Sequence, residues 1–197
     1  MGTHYVDYAL WIGGGLPAEW VVGHVHGRDL LIGTHPSPNY ALGQFALANG
    51  VRVFIEFGKR APAYMPPDRL WYDNRLTVHG SQGYAWCDND GRWGAFTRAS
   101  GGHVIGETGD GWEIQHVNPL QQLYALELAD WLDDEAKGHT CSIESAYHGY
   151  EILEGLCISA LEHRSVGFPL DPSTCGGVFE RMRAIFPDSA DLDRNIH

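Results

Sequence analysis

The strongest constraint on the fold is an Asn-Gly pair, Asn49-Gly50, that lies between two segments of strand character. Residues 44–48 lead into this pair, and residues 51–57 lead out of it with apolar side chains at every second position. Asn-Gly favours a two-residue type I′ turn, because both residues tolerate positive φ. The alternation places one face of the second strand against a core. The sequence therefore predicts an antiparallel hairpin with one buried face.

The segments on either side of the hairpin predict an α+β fold. Ahead of it, we expect a helix at 4–12 with Thr3 as its cap and a strand at 20–26. After it, we expect strands at 70–79, 84–87 and 92–97, helices at 119–137 and 142–163, an extended segment at 165–170 and a short helix near 179–186. This order predicts an open, mostly antiparallel sheet with helices packed on one face. We expect residues 1–171 to form this domain and residues 172–197 a partly mobile extension.

Charge and cysteine content exclude several classes of partner. The 197 residues include 13 Lys and Arg against 25 Asp and Glu, a formal net charge of −12. So acidic a chain is a poor candidate for binding nucleic acid or an anionic membrane surface. No apolar run reaches the roughly 20 residues that span a bilayer. The four cysteines form no close pair, which is typical of reduced thiols. We expect a cytoplasmic protein that binds neither nucleic acid nor membranes.

The glycines and histidines predict neither a nucleotide nor a metal site. Gly13-Gly14-Gly15 follows a helix and Gly101-Gly102 precedes none, so no strand-turn-helix with GxGxxG spacing is present. We therefore predict that this chain alone binds neither NAD nor NADP, and that it contains no dinucleotide-binding domain. His24 and His26 share a strand face but lack a clear third ligand, so no metal site is predicted.

Three residues of the first predicted helix are candidates for a catalytic site. His4, Asp7 and Tyr8 have i, i+3, i+4 spacing, which places them on one helical face. A histidine in the first turn suits a proton acceptor, because the positive end of the helix dipole favours the neutral imidazole. Packing is the alternative role for Tyr8. His79, before a glycine turn, and Arg60, after a strand, are further substrate-binding candidates, with a solvated strand end as the alternative for Arg60.

Four stretches, in this order, resemble the C-terminal domain of the Gfo/Idh/MocA oxidoreductases, which include glucose–fructose oxidoreductase and inositol dehydrogenase. The stretches span about residues 1–171. They are GTHYVD at 2–7, continuing to Trp11 and Gly13; FALANGV at 45–51; LTVHGSQG at 76–83; and SIESA at 142–146, continuing to Ser159-Ala160 and then to 166–170.

The resemblance implies hydride transfer between a nicotinamide and a hydroxyl of a sugar or cyclitol. In this family an N-terminal dinucleotide-binding domain precedes the C-terminal domain, and the substrate sits between the two. The family's catalytic groups are a Lys of the first domain and an Asp-x-x-x-His pair of the second. His4 matches the His, whereas the Asp would fall before Met1 and the Lys has no counterpart. The resemblance implies NAD or NADP in a full-length parent and a catalytic role for His4. Asp7 is a second catalytic candidate on other grounds, because it lies one helical turn on and could hydrogen-bond His4 or a substrate hydroxyl.

The leading interpretation is a substrate-binding domain of such a dehydrogenase, truncated before its cofactor domain and unable to transfer hydride alone. We expect a small polyhydroxylated substrate and a homo-oligomer that packs through the exposed sheet face. A second interpretation is a stand-alone acid–base enzyme, such as an epimerase, dehydratase or cyclase. A third is a non-catalytic binding subunit that pairs with a complete homologue containing a dinucleotide-binding domain.

Overall fold

The structure is a computed structural model, and it describes residues 2–26, 29–30, 36–38, 40–58, 75–88, 92–107, 117–134, 136 and 142–185. The chain divides into two compact units. The first unit contains Met1–Ala61 together with Thr140–His197, and the second contains Pro62–His139.

The described elements are one helix, a run of strands and then mostly helices, which is the predicted order. In chain order they are α1 (Gly2–Ile12), β1 (Ala18–His26), β2 (Asp29–Leu30), β3 (Pro36–Ser37), β4 (Tyr40–Leu47), β5 (Arg52–Gly58), β6 (Arg75–Gly80), β7 (Gly83–Asp88), β8 (Arg92–Thr97), β9 (Gly102–Glu107), α2 (Val117–Asp133), α3 (Ile143–Glu162), β10 (Val166–Gly167), α4 (Pro172–Cys175) and α5 (Val178–Ile185). The α+β class is therefore confirmed. The strands differ from the single sheet that we expected, because they form two separate four-stranded sheets and a two-stranded ribbon of β2 and β3.

The sheet of the first unit has the order β10-β1-β4-β5, and every pair is antiparallel. The predicted hairpin joins β4 to β5, but its turn is not type I′. Gly50 has a φ of 83°, whereas Asn49 is outside the left-handed region. The Gly50 N–H donates to the Leu47 carbonyl at 2.8 Å, and the Leu47 N–H donates to the Val51 carbonyl at 2.9 Å. The connection is thus a three-residue loop whose last residue is a left-handed glycine, a common alternative for hairpins.

Helix α3 lies directly on this sheet at a pair of glycines. Gly23 of β1 and Gly43 of β4 are register partners. A Cβ atom on Gly23 would lie 2.4 Å from Leu156 Cγ, and one on Gly43 would lie 2.5 Å from Leu156 Cδ1. Because any side chain would fill that space, the two glycines allow the helix its close approach. Around this contact, α1, α3, α5 and one face of the sheet enclose the core of the unit.

Two buried polar side chains of α3 pair with backbone groups of the sheet and of the chain that follows the helix. The Gly23 N–H donates to Ser159 Oγ at 2.9 Å, and that hydroxyl donates to the Arg164 carbonyl at 2.6 Å. The buried Glu151 accepts the Leu170 N–H at 2.6 Å. These bonds satisfy polar groups that would otherwise be costly to bury.

The ends of α3 follow the predicted pattern. Ser142 caps the helix, as predicted, with its hydroxyl accepting the Ser145 N–H at 3.2 Å. His163 ends the helix in the left-handed region, with φ of 53°. Glycine usually holds this position, because other residues pay a steric cost there. Downstream, Val178 and Met182 of α5 are buried in the core, so part of the predicted C-terminal extension is packed.

The second unit contains a four-stranded antiparallel meander, β6-β7-β8-β9. The sequence predicted the turn at 80–83 and the strands β6, β7 and β8. It did not predict β9, a short strand that begins at Gly102 and gives little local pattern. Helix α2 ends at Asp133, and the end at Lys137 that the sequence predicts falls outside the described residues.

Candidate functional site

Helix α1 presents the three candidate residues on its exposed face. Val6, Ala9 and Leu10 are buried and face the core. His4 and Asp7 are exposed, and the side chain of Tyr8 retains 52% of its accessible surface. The i, i+3, i+4 spacing thus places one imidazole, one carboxylate and one phenol on the same side of one helix, as predicted. That these residues line one concave pocket stays a prediction.

Contacts on the buried side of α1 fix its orientation. The Tyr5 ring stacks on Phe57 of β5, with centroids 6.2 Å apart. A Cβ atom on Gly2 would lie 2.8 Å from the Phe57 ring, so the first turn approaches β5 closely. At the other end, the Asn49 side-chain amide donates to the Gly13 carbonyl at 3.1 Å. Helix α1 begins at Gly2 rather than after Thr3, so Thr3 lies in its first turn and is not its cap.

Two glycine-rich stretches among the described residues are not placed to hold the pyrophosphate of a dinucleotide. Phosphate groups bind where backbone N–H groups converge at the N-terminal end of a helix. Gly13, Gly14 and Gly15 lie instead at the C-terminal end of α1, where carbonyl oxygens give a partial negative charge. Gly101 and Gly102 lie between two strands of the meander. None of these glycines can therefore hold a pyrophosphate in the way that nicotinamide cofactors require.

The other two candidates lie outside the α1 face. Arg60 falls outside the described residues. His79 is exposed on β6 of the second unit, and its ring lies 5.4 Å from the Tyr84 ring. Tyr84 in turn stacks on Phe96 at 6.1 Å, and Phe96 lies 4.9 Å from His103. His79 thus begins a row of four rings across the meander, and its role as a substrate ligand stays a prediction.

A shallow hollow of about 210 Å³ lies at the β6–β7 turn of the second unit. The residues that line it include Val78, Gly80, Gly83, Ala85 and Thr97. The lining is largely apolar, and it contains no ionisable group except the Tyr84 phenol. The hollow therefore has little capacity for acid–base chemistry.

One histidine that the sequence analysis did not select occupies a polar network in the first unit. His148 Nε2 accepts the Ala18 N–H at 2.8 Å. Its Nδ1 lies 3.0 Å from the Glu151 carboxylate. Since Nε2 accepts a hydrogen bond, the ring proton resides on Nδ1 and faces Glu151. Both nitrogens are therefore engaged, and His148 joins β1 to α3 instead of exchanging protons with a ligand. The i, i+3 spacing of His148 and Glu151 is the sequence pattern that indicates this pair.

A stripe of α3 carries three further titratable side chains. Burial raises the pKa of the Glu154 carboxyl. The nearby Glu154 carboxylate raises the pKa of the Tyr150 phenol. Burial, with a smaller contribution from Glu154, raises the pKa of the Cys157 thiol to about 12. A thiol with so high a pKa stays protonated at neutral pH and is a poor nucleophile.

Among the described residues, no group of three or more His, Cys, Asp or Glu side chains is placed to hold a metal ion. No described helix has both the length and the apolar composition needed to cross a bilayer.

Solved structures with this fold are Gfo/Idh/MocA-type oxidoreductases. One is an oxidoreductase from Agrobacterium radiobacter in complex with NAD+, L-tartaric acid and magnesium, with a TM-score of 0.60 and 16% identity over 85% of this chain and 47% of that one. A second is an aldose-aldose oxidoreductase from Caulobacter crescentus complexed with glycerol, with a TM-score of 0.57 and 14% identity over 85% of this chain and 46% of that one. A third is GenD2 from gentamicin A biosynthesis in complex with NAD, with a TM-score of 0.57 and 15% identity over 86% of this chain and 47% of that one.

This chain has the fold of a Gfo/Idh/MocA-type oxidoreductase domain. The resemblance inferred from the four sequence stretches is confirmed at the level of the fold. The chain spans about half the length of the solved structures that it matches. No protein-family model matches the sequence, and no curated protein matches it.

Proposed function

We propose that this chain is the substrate-binding part of an NAD(P)-dependent dehydrogenase that acts on a sugar or cyclitol. The exposed face of α1 is the observation that carries the proposal. It displays His4, Asp7 and Tyr8 on a fold shared with oxidoreductases, two of which are described as complexes with NAD. Residues 1–171 form the substrate-binding domain in this proposal. The cofactor supplies a hydride acceptor when bound, and residues outside those described here hold it.

The three side chains have complementary roles toward a polyhydroxylated substrate. His4 takes the proton from the hydroxyl that is oxidised, and returns it in the reverse direction. Asp7 accepts a hydrogen bond from a neighbouring hydroxyl, and the Tyr8 hydroxyl can donate or accept one. His79 and Arg60 are secondary substrate ligands in this scheme. A carboxylate, an imidazole and a phenol match a ligand that carries several hydroxyl groups.

We further propose that the chain forms a homo-oligomer through the uncovered face of the first sheet. Val22, Leu42 and Phe54 point away from α3 on this face and are exposed. Phe54 keeps 73% of its accessible surface, which is unfavourable for an aromatic ring in water.

The free thiols of Cys87, Cys157 and Cys175 support a reducing, cytoplasmic setting.

Saturation-transfer NMR of the chain with myo-inositol and with D-glucose tests the proposed site. We expect His4→Ala and Asp7→Asn to reduce the transferred signal, because the substrate hydroxyls lose their partners. Tyr8→Phe should reduce it less, since only one hydrogen bond is lost. Tyr147→Phe is the matched control, because Tyr147 is also an exposed tyrosine and lies on another helix of the same unit.

The outcomes separate the three interpretations. Binding that His4→Ala leaves unchanged would place the site elsewhere on the chain. Conversion of a polyol or sugar by the chain without any nucleotide would favour the acid–base enzyme. Failure of both ligands to bind at millimolar concentration would favour the non-catalytic subunit.

A further inference from the structure

The turn between β4 and β5 places a chemically reactive dipeptide against the end of helix α1. Asn49 is the only Asn in the 197 residues that is followed by Gly. Because Gly50 has no side chain, a neighbouring group can approach its backbone nitrogen closely. Both residues are exposed, so water reaches them. The pair therefore has the groups that spontaneous deamidation requires.

We propose that Asn49 is a site of spontaneous deamidation, and that the docking of the turn on α1 controls the rate. The Gly50 nitrogen loses its proton to hydroxide, attacks Asn49 Cγ and forms a new N–C bond. The bond from Cγ to Nδ2 breaks, and ammonia leaves with a proton from water. Water then opens the resulting succinimide at either carbonyl and yields Asp or isoaspartate. The net reaction consumes water and releases ammonia, with no oxidant or reductant.

Hydrogen bonds restrain both reacting groups while the turn is docked. The Asn49 Nδ2 group donates to the Gly13 carbonyl at 3.1 Å, and its Oδ1 accepts the Val51 N–H at 3.1 Å. With both amide atoms engaged, the side chain cannot rotate to bring Cγ onto the Gly50 nitrogen. The N–H of Gly50 is also engaged, because it donates to the Leu47 carbonyl at 2.8 Å. Deamidation therefore requires the turn to separate from α1.

The contact between the turn and the end of α1 is local. Next to the Asn49 bond, the Ala48 N–H donates to the Pro17 carbonyl at 3.0 Å. The buried Leu47 packs so closely on Gly13 that a Cβ atom on this glycine would overlap Leu47 Cδ1. Such a contact opens far more often than the whole unit unfolds, because its opening exposes little apolar surface.

Deamidation replaces a group that docks with one that repels. At neutral pH both products carry a carboxylate, which accepts hydrogen bonds and cannot donate one. This carboxylate would face the Gly13 carbonyl at the C-terminal end of α1, where carbonyl oxygens give a partial negative charge. Gly13 is buried, so the loss of its donor is costly unless the turn separates and water replaces it. The modified chain therefore keeps this end of α1 undocked, and the change runs in one direction.

Peptide mapping by mass spectrometry tests the site and its control by docking. The full chain is incubated at mildly alkaline pH, with and without denaturing guanidinium chloride. We expect Asn49 to convert to Asp and isoaspartate in both, about tenfold or more slowly in the folded chain. Gly13→Ala should accelerate conversion in the folded chain by about tenfold, because the added methyl group displaces Leu47 and the turn with it. Gly167→Ala is the matched control, since its methyl group has space, and it should leave the rate unchanged.

These rates can also contradict the proposal. A folded chain that never converts at Asn49, under conditions that convert the denatured chain, would show that Asn49 is not a modification site. Equal rates in the folded and denatured chains, or a wild-type rate in a folded Gly13→Ala variant, would overturn the control by docking. If Gly13→Ala does not fold, guanidinium below the unfolding transition replaces it. The wild-type rate should rise there before the unit unfolds, and a flat rate would overturn the local opening.

Hydrogen exchange of the Ala48 N–H measures the consequence, because this group bonds across to Pro17. Anion exchange separates the deamidated form from aged wild-type chain by its added negative charge. We expect the Ala48 N–H to exchange about tenfold or more faster in that form and in Asn49→Asp than in unmodified chain. Asn49→Ala removes the donor without adding a charge and should have a smaller effect. An unchanged Ala48 rate in both the deamidated form and Asn49→Asp would overturn the undocking of α1.

Discussion

Gly23→Ala is expected to destabilise the first unit, because α3 leaves no space for a methyl group there. A Cβ atom on Gly23 would lie 2.4 Å from Leu156 Cγ and 2.7 Å from the Leu156 carbonyl oxygen. The side chain can rotate away, but the carbonyl belongs to the helix backbone, so the helix must move. Inserting one methyl group into a packed core costs about 1–3 kcal/mol, and the backbone contact places this change in the upper half of that range.

Gly43→Ala provides an internal comparison at the partner strand. The Cβ atom there would lie 2.5 Å from Leu156 Cδ1 but 3.2 Å from its nearest backbone atom, the Val22 carbonyl oxygen. In a Leu156→Ala background we therefore expect most of the Gly43→Ala penalty to disappear and most of the Gly23→Ala penalty to remain. Such non-additivity is the expected behaviour of residues in direct contact.

Urea unfolding followed by circular dichroism measures these free energies. A loss of about 2 kcal/mol corresponds to a fall of roughly 4–8 °C in Tm for a chain of this size. Gly167→Ala is the matched control, since a Cβ atom there would meet only the Glu19 carbonyl at 3.8 Å. Gly23→Ala within about 0.5 kcal/mol of wild type, with an unchanged m-value, would refute the packing argument.

Further predictions concern the candidate site, the cofactor and two glutamates of α3. His4→Ala should change the free energy of unfolding by less than about 1 kcal/mol, because the side chain is exposed; a larger loss by the same urea assay would show a structural role. Calorimetry should detect no micromolar binding of NAD or NADP, because the glycine stretches of the described residues form no phosphate cradle; binding of either nucleotide would contradict this prediction. Hydrogen bonds from Arg181 and Arg164 lower the pKa of Glu162, so its stabilising contribution is present above its unfolded pKa and is lost as the pH falls through the folded value. Glu162→Gln should therefore flatten the acid limb of the stability profile. Burial raises the pKa of Glu154, so the contribution of this carboxyl to the free energy of unfolding declines as the pH rises from its unfolded pKa to its folded pKa. Glu154→Gln should remove that decline. Equal pH slopes of stability for the Glu162→Gln and Glu154→Gln variants would contradict this assignment.

The local pattern of the sequence predicted most elements, because hydrophobic periodicity and the residues that cap or end helices and strands act over only a few neighbouring positions. Ser142 at the start of α3, the alternation in β5 and the turn at 80–83 each needed only neighbouring residues. The type I′ turn was wrong for a reason that is not local. Asn49 bonds both to the Val51 N–H and to the Gly13 carbonyl across the unit, and it stays out of the left-handed region. Strand β9 was missed because its short, glycine-flanked segment gives little local pattern of its own.

The candidate site divides in the same way. Helical periodicity places His4, Asp7 and Tyr8 on one face of the helix before any packing occurs, so the spacing of these residues was enough to predict it. That this face is the exposed one depends on tertiary packing, because α3 and β5 cover the opposite side of α1. Tertiary packing also assigned His148 to a structural network and separated the strands into two sheets. Those outcomes depend on contacts between residues that lie far apart in the chain, such as Ala18 and His148, and no local pattern specifies such contacts.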